Sequence, residues 1–238
     1  MQANHHTIII IIIIYKKINN KNNKNNNNNK LKWKVSRRSD RNHLRRLAYR
    51  PTKKFGGICL IAIGYAWRRL AAKCANRYAV AKLANYFGPI QLGVGVPGGC
   101  EAAVHATRRF AERMPDDQVI VKLDFTNAFN SLHRDAMLEA ISARVPAIYK
   151  VCHLAYNQPS ILKFIEYRIM SAEGPHQGDP LGGLLFCNTI HPLLRHMNSN
   201  LVEGYMDGIT LGGKSNIVTE DVATIRTLGS TLGLHLNA

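Results

Sequence analysis

The sequence lacks the paired cysteines that would indicate a disulfide framework or a zinc site. Of its 238 residues five are cysteine, an odd number, and no two of them form a C-x-x-C pair. Cys187 lies one helical turn before His191, with His196 nearby, but no second pair follows at a zinc-type spacing. This usage is typical of reduced thiols, so we expect an intracellular protein, in the nucleus or cytoplasm, rather than a secreted one.

A hydrophobic run long enough to cross a membrane is also missing. The run Ile8–Ile14 has only seven residues, whereas a spanning helix needs about 20. No Lys or Arg precedes this run, and Tyr15-Lys16-Lys17 follows it where a signal peptide would have small residues. We therefore expect neither a membrane partner nor an export signal.

Acidic residues are scarce at the beginning of the chain. Residues 1–54 contain 15 of the 32 Lys and Arg but a single acid, Asp40. Residues 55–238 hold 17 basic and 14 acidic residues, a net of +3, so the formal charge of +17 mostly describes the first segment. Residues 1–34, an Ile run followed by Asn and Lys, are predicted to be a low-complexity disordered tail, and residues 35–54 a basic linker.

From residue 55 onward the hydrophobic pattern predicts alternating strands and helices. Strands and hairpins are expected at Ile58–Ile63, Gln118–Phe125, Ser160–Ala172 and Leu201–Gly213, the last with an Asp207-Gly208 turn. Helices are expected at Ala66–Phe87, Cys100–Met114, Asp179–Met197 and Val218–Leu232, and between an N-cap at Ser131 and a stop at Pro146. This order favours an α+β fold in which helices back an antiparallel sheet.

Two details of this pattern bear on packing and on phosphate binding. In the helix Ala66–Phe87, Leu70, Cys74, Tyr78, Ala81 and Leu83 fall close to one face, which predicts the buried side. Leu92–Gly99 is a glycine-rich loop without the Lys-Ser/Thr ending of a P-loop, so it is not predicted to cradle phosphates.

Two aspartates stand where strands end. Asp124 closes the segment Val121–Asp124, and Asp207 lies at the tip of the second hairpin, 83 residues later. Each has an ordinary explanation, as a strand-end cap or as a turn residue. Carboxylates that converge from rigid strand ends are also what two divalent cations need, about 3.5–4 Å apart, for phosphoryl transfer.

Together, five segments resemble the reverse transcriptases of non-LTR (LINE-type) retrotransposons, from about residue 54 to the end. Asp124–Phe129 resembles the D-x-x-x-A-F block, Gly174–Phe186 contains a Q-G-D-P-L-x-x-L-L-F block, and Tyr205–Gly208 resembles the Y-x-D-D block. Ile61–Lys73 is similar to the preceding finger segment, and Leu232–Asn237 to the start of the next palm block. The order and the spacing agree with the family throughout.

This resemblance implies a right-hand polymerase fold, with fingers and palm at residues 55–238 and an antiparallel palm sheet backed by helices. It implies that Asp124 and Asp207 are catalytic and, with the backbone carbonyl of Phe125, hold Mg²⁺ in a two-metal site, with Mn²⁺ as an alternative. Phe129 would pack beneath the sugar of the incoming nucleotide, and Gln177 and Gly178 would contact that nucleotide. The implied partners are an RNA template, a DNA primer and deoxynucleoside triphosphates.

Three departures from the family pattern lead us to expect impaired activity. Gly208 replaces the second carboxylate of the Y-x-D-D block, and Cys59-Leu60-Ile61 stands where the fingers usually read R-P-I. The chain also ends at Ala238, which we interpret as truncation before a family lysine and the thumb, and it contains no endonuclease segment. Two alternatives stay open: a catalytically dead nucleic-acid-binding remnant, or a non-functional product of a decayed retroelement.

Overall fold

The computed structural model describes residues 47–49, 61–64, 66–164 and 167–237. The predicted tail, most of the predicted linker and Cys59 lie outside the described residues. The helices are α1 Ala66–Phe87, α2 Gly99–Arg113, α3 Ala128–Ser131, α4 Arg134–Arg144, α5 Tyr149–Tyr156, α6 Gly182–Arg195 and α7 Ser215–Thr231, with a 3₁₀ turn at Pro146–Ile148. The strands are β1 Leu47–Tyr49, β2 Ile61–Ile63, β3 Gln118–Leu123, β4 Ser160–Phe164, β5 Tyr167–Ser171, β6 Leu201–Tyr205 and β7 Gly208–Lys214.

A three-stranded antiparallel sheet, in the order β3-β7-β6, forms the palm. β3 pairs with β7 along its whole length, from Gln118 opposite Lys214 to Leu123 opposite Ile209. Helices α2 and α7 contact this sheet. The predicted α+β class, with helices backing an antiparallel sheet, is therefore confirmed.

A second sheet has the strand order β2-β1-β4-β5. β4 and β5 form the antiparallel hairpin predicted within 160–172, while β1 pairs antiparallel with β2 and parallel with β4. β1 belongs to the segment expected to be a basic linker, so at least Leu47–Tyr49 joins the folded part.

Helix α6 is the centre of the core. Its residues from Leu184 to Ile190 are all buried, and it contacts α1, α4 and α7. A fully buried Leu, Ile or Phe side chain contributes about 1.5–3 kcal/mol. Because α6 begins directly after the Q-G-D-P-L segment, the most buried helix fixes where that segment lies.

Of the five residues predicted to form the buried face of α1, Leu83 is buried and the other four are exposed. Ala72, Ala75 and Ala79 are buried, whereas Leu70 is 52% and Tyr78 46% exposed. The alanines lie on the opposite side of the helix from Leu70 and Tyr78 and share their face with the buried Leu83. A helix with apolar residues on two faces gives no net amphipathic signal, which is why the pattern indicated the wrong side.

The start of α4 also differs from the prediction. Ser131 ends α3 and is not an N-cap, since α4 begins at Arg134. The Arg134 N–H donates instead to the carboxylate of Glu173, at 2.9 Å, from a segment 39 residues later. In the described ranges, no helix is both long and apolar enough to span a bilayer.

Candidate active site

Two acidic residues lie at the same end of the palm sheet. β3 ends at Leu123, which pairs with Ile209, and the register continued by one residue brings Asp124 opposite Gly208. Asp207 precedes Gly208 in the turn that joins β6 to β7. The strand pairing therefore brings the two candidate carboxylates, 83 positions apart in the sequence, to one edge of the fold.

The turn that carries Asp207 is not the predicted one. Tyr205 pairs with Gly208, so the turn residues are Met206 and Asp207. Met206 has a φ of 56°, in the left-handed region that side chains other than glycine seldom adopt. The prediction was wrong because Asp-Gly is a stronger turn signal than Met-Asp. Gly208 is consequently the first residue of β7.

Asp124 is exposed and is held by backbone and amide groups. One carboxylate oxygen accepts a hydrogen bond from the N–H of Phe125 at 3.0 Å, and the other from the side-chain amide of Asn237 at 3.3 Å. Phe125 forms an antiparallel bridge with Leu236, as expected of the start of another palm strand. The Phe125 side chain is buried in the core, so only its backbone carbonyl could serve the role that the resemblance implies.

Asp207 is half-buried beside α6. Burial, and after it the charge of Asp207, raises the pKa of the Cys187 thiol, so this carboxylate lies within electrostatic reach of the helix. Hard cations such as Mg²⁺ prefer carboxylate oxygens, and Asp124 and Asp207 fit that donor chemistry. Among the residues that the structure describes, no three His, Cys, Asp or Glu are grouped as they would be around a metal ion.

The position of Gly208 has room for a side chain. A Cβ atom there would meet only the Tyr205 carbonyl oxygen, at 3.5 Å, which is ordinary van der Waals contact. Gly208 is not among the residues with a left-handed backbone. No backbone conformation and no clash at the Cβ position therefore explains this glycine.

Phe129 packs face to face with Phe186 of α6. The ring centroids are 4.7 Å apart and the planes differ by 8°. The Gly174 backbone runs directly against Phe129, since a Cβ on Gly174 would come within 1.8 Å of the Phe129 carbonyl oxygen. Phe129 is thus fixed between the D-x-x-x-A-F segment, α6 and the segment that leads to Gln177.

The Gln177-Gly178 turn is fastened to α1 through Asp179. Gly178 has a φ of 96°, which favours glycine. The Asp179 carboxylate accepts hydrogen bonds from Arg68 at 2.9 Å and from the Tyr156 hydroxyl at 2.8 Å. The side chains of Arg68 and Asp179 are only 16% and 6% exposed, so this is a largely buried ion pair.

His176 lies between two arginines on the other side of this turn. Its Nδ1 is 3.3 Å from a guanidinium nitrogen of Arg68, and its Nε2 is 3.4 Å from one of Arg134. Burial, followed by these two positive charges, lowers the pKa of His176 to about 3, so the ring is neutral near pH 7. Arg134 also donates to the carbonyl oxygens of Ser171 and Gly174, both at 3.0 Å. The turn is therefore anchored on both sides.

Sequence reasoning missed this anchoring cluster, which consists of Arg68, Arg134, Tyr156, His176 and Asp179. The sequence separations of the bonded pairs reach 111 residues, so no local pattern connects them. The only local signal was weak: Asp179 directly follows Gln177-Gly178.

Comparison with known proteins identifies the family. The family model described as "Reverse transcriptase (RNA-dependent DNA polymerase)" matches residues 64–238. The Retrotransposable element SLACS 132 kDa protein of Trypanosoma brucei gambiense is 27% identical over 184 residues, which cover 72% of this chain and 15% of that protein. The chain therefore spans a small part of this relative.

Solved telomerase structures share the fold. The chain superposes with a TM-score of 0.60 on apo telomerase from Candida tropicalis truncated from its C-terminal domain, at 13% identity, covering 81% of this chain and 48% of that one. It superposes equally well, at 0.60 and 10% identity, on telomerase from Candida albicans in complex with a TWJ fragment of telomeric RNA, covering 82% and 42%. The predicted fingers-and-palm fold and the predicted resemblance to retrotransposon polymerases are confirmed, and the chain belongs to the reverse transcriptase (RNA-dependent DNA polymerase) family.

Proposed function

We propose that the chain is a reverse transcriptase domain fragment of a non-LTR retroelement, and that Asp124 and Asp207 are the catalytic residues of RNA-templated DNA synthesis. The observation that carries this proposal is the β3–β7 register, which brings both carboxylates to one end of the palm. The substrates are deoxynucleoside triphosphates, with an RNA template and a DNA primer. The domain spans residues 55–238 together with the strand Leu47–Tyr49, and residues 1–34 precede it as a tail.

Asp124, Asp207 and the Phe125 carbonyl would hold Mg²⁺, or Mn²⁺ in its place. When bound, a pair of such ions neutralises charge on the attacking and leaving oxygens of the transfer. Gln177 and Gly178 contact the incoming nucleotide from the anchored turn. Phe129, held against Phe186, packs beneath its sugar and excludes a 2′-hydroxyl.

We further propose that the polymerase activity of this chain is impaired. Glycine at position 208, in place of the family carboxylate, leaves one negative charge fewer in a site that must hold two divalent cations. Cys59 stands where the family has an arginine. A guanidinium can bind a triphosphate through two hydrogen bonds, and a thiol cannot. When groups act together in catalysis, the effects of losing them on activity are not additive. We therefore expect Gly208→Asp alone to recover little, and Gly208→Asp with Cys59→Arg somewhat more.

Primer extension on an RNA template with Mg²⁺ and deoxynucleotides tests this proposal. We expect feeble extension by the unmodified chain and more by the double variant Gly208→Asp, Cys59→Arg. Asp124→Ala in that background should abolish it, whereas Asp116→Ala, an exposed aspartate beyond α2, should not. If Asp124→Ala leaves extension by the double variant intact, the catalytic assignment is wrong. Robust extension by the unmodified chain would contradict the expected impairment.

The second candidate is a nucleic-acid-binding remnant without catalysis, which Gly208 specifically favours. It predicts RNA binding that weakens steeply with salt, since affinity rests on phosphate contacts, together with no extension even in the double variant. A third candidate, a product without function, predicts that the protein itself is absent from cells that contain its transcript.

A further inference from the structure

Gln91, in the segment between α1 and the glycine-rich loop, is a glutamine with 0% exposure. Its side chain reaches the turn that carries Asp207. The amide oxygen accepts hydrogen bonds from the backbone N–H of Met206 and of Gly93, both at 3.1 Å. The amide nitrogen donates to the Met206 carbonyl at 3.5 Å. One side chain, 115 positions away, therefore satisfies both backbone groups of the residue before Asp207.

The main chain around Gln91 docks onto β6, the edge strand of the palm sheet. Gln91 and Gly204 form a parallel bridge, the Leu92 N–H donates to the Gly204 carbonyl at 2.7 Å, and the Gly204 N–H donates to the Ile90 carbonyl at 2.8 Å. Gln91 thus pairs with β6 on the open edge of the palm sheet, beside the hairpin that carries Asp207.

Two glycines permit this approach. A Cβ on Gly93 would come within 2.5 Å of the Met206 nitrogen, and one on Gly204 within 2.6 Å of Leu194 and 2.9 Å of the Gln91 amide nitrogen. Larger residues at either position would separate the loop from the hairpin. This gives a role to the start of the glycine-rich loop that the sequence left without a function.

Met206 needs such support. Its left-handed backbone is unfavourable for a residue with a side chain and persists only when the surroundings hold it. Gln91 holds the backbone, and the Met206 sulfur lies 3.9 Å from Cys187 Sγ of α6. The direction in which the next residue, Asp207, projects depends on this conformation.

We propose that Gln91 is a positioning residue for the candidate metal centre: its amide fixes the Met206 backbone so that Asp207 is presented at the end of the palm sheet. The link to metal binding rests on the function proposed for Asp207, whereas the link to the Met206 backbone does not. Groups that orient a metal ligand typically change metal affinity by about 10–100-fold when they are lost.

The test uses Gln91→Met, which keeps the length of the side chain but removes the amide. A second variant, Gln91→Asn, keeps the amide but is one methylene shorter, so it serves if the first does not fold. Asn188→Leu is the matched control, because it also removes a fully buried amide, one whose nitrogen and oxygen have no hydrogen-bond partner within the described residues. Gln91→Glu in mildly acidic buffer is the rescue, since a protonated carboxyl offers one donor and one acceptor.

Two readouts need no turnover. Amide hydrogen exchange is followed at Met206 and Gly93, with Leu211 in the middle of β7 as the reference for global opening. Binding of Mn²⁺ is followed by electron paramagnetic resonance. We expect Gln91→Met and Gln91→Asn to accelerate exchange at Met206 and Gly93 far more than at Leu211, and to weaken Mn²⁺ binding roughly 10–100-fold. The control should change neither readout, and Gln91→Glu should retain protection.

The outcomes separate the two proposals. Exchange at Met206 that rises only in step with Leu211 would overturn the positioning role, as would unchanged Mn²⁺ affinity in both Gln91 variants. If the unmodified chain does not bind Mn²⁺, or if Asp124→Ala leaves its Mn²⁺ binding intact, the proposed metal site is wrong. The claim that Gln91 supports a metal site is then wrong as well. The exchange data would still decide whether Gln91 fixes the Met206 backbone.

Discussion

Removal of the Asp179 carboxylate is expected to destabilise the domain strongly, because three hydrogen bonds converge on it. One oxygen accepts from Arg68 at 2.9 Å and from the Tyr156 hydroxyl at 2.8 Å, and the other from the Leu181 N–H at 3.0 Å. The side chain is 6% exposed, so water has little access to the groups that Asp179→Ala would leave unpaired.

The magnitude follows from what remains after the change. Breaking a buried ion pair by removing one partner costs about 3–5 kcal/mol, since the other charge is left uncompensated. Arg68 is 16% exposed and can recover some hydration, whereas Tyr156 is almost fully buried and cannot. We expect Asp179→Ala to lower the free energy of unfolding by about 3 kcal/mol. Asp179→Asn keeps one acceptor and the shape, and should lose about 1–2 kcal/mol.

Urea unfolding followed by circular dichroism measures this difference. Asp116→Ala, at an exposed aspartate, is the control and should stay within about 0.5 kcal/mol of the unmodified chain. A double-mutant cycle with Arg68→Met separates the ion pair from the Tyr156 hydrogen bond. A loss below about 1 kcal/mol for Asp179→Ala would refute the reasoning, since it would mean that water or a side-chain shift replaces the carboxylate.

Three further predictions concern the same framework. The pKa of His176 in the folded chain, about 3, lies below its ordinary value of 6.5, so its contribution to stability is fully present above about pH 6.5 and is lost as the pH falls toward 3. Acid unfolding of His176→Gln should therefore depend less on pH over that window, and an unchanged profile would contradict this. Gly174→Ala should cost about 3 kcal/mol in urea unfolding, because its φ is 66° and its Cβ would overlap the Phe129 carbonyl. Gly208→Ala, with free space at its Cβ, is the matched control. Deletion of residues 1–34, whose Asn- and Lys-rich composition has little apolar area to bury, should leave the melting temperature unchanged.

The palm was predictable because its signals are local. β3 is rich in β-branched residues, with Val119, Val121 and Leu123 at alternate positions, and the segment from Leu201 is predicted to be a hairpin from its own residues. Asp124 and Asp207 both lie where a strand ends, in segments that follow the family order, and this suggested that they belong to one site. Two such residues come close together when their strands are neighbours in an antiparallel sheet. Pairing of β3 with β7 is the arrangement that makes them neighbours.

Features set by tertiary packing were not predictable in the same way. The turn moved by one residue, from Asp207-Gly208 to Met206-Asp207, although Met206 is a poor left-handed residue on local grounds. The Gln91 amide and the contacts of the Met206 side chain with α6 offset that local cost. A propensity read from four residues cannot include a hydrogen bond from a residue 115 positions away.

The contacts that support the candidate site do not involve position 208. Gln91 holds Met206, and Arg68 and Tyr156 hold Asp179, without any contact that a side chain at position 208 would make. A Cβ there meets only the Tyr205 carbonyl, so the space at the start of β7 does not decide whether this position carries a carboxylate. Positioning and charge are therefore separable in this chain. The Gln177-Gly178 turn, which we propose contacts the nucleotide, and Asp207 can keep their geometry while the proposed two-cation site has one negative charge fewer. Nucleotide and metal binding should consequently survive better than transfer does, so binding and primer extension must be measured separately for each variant.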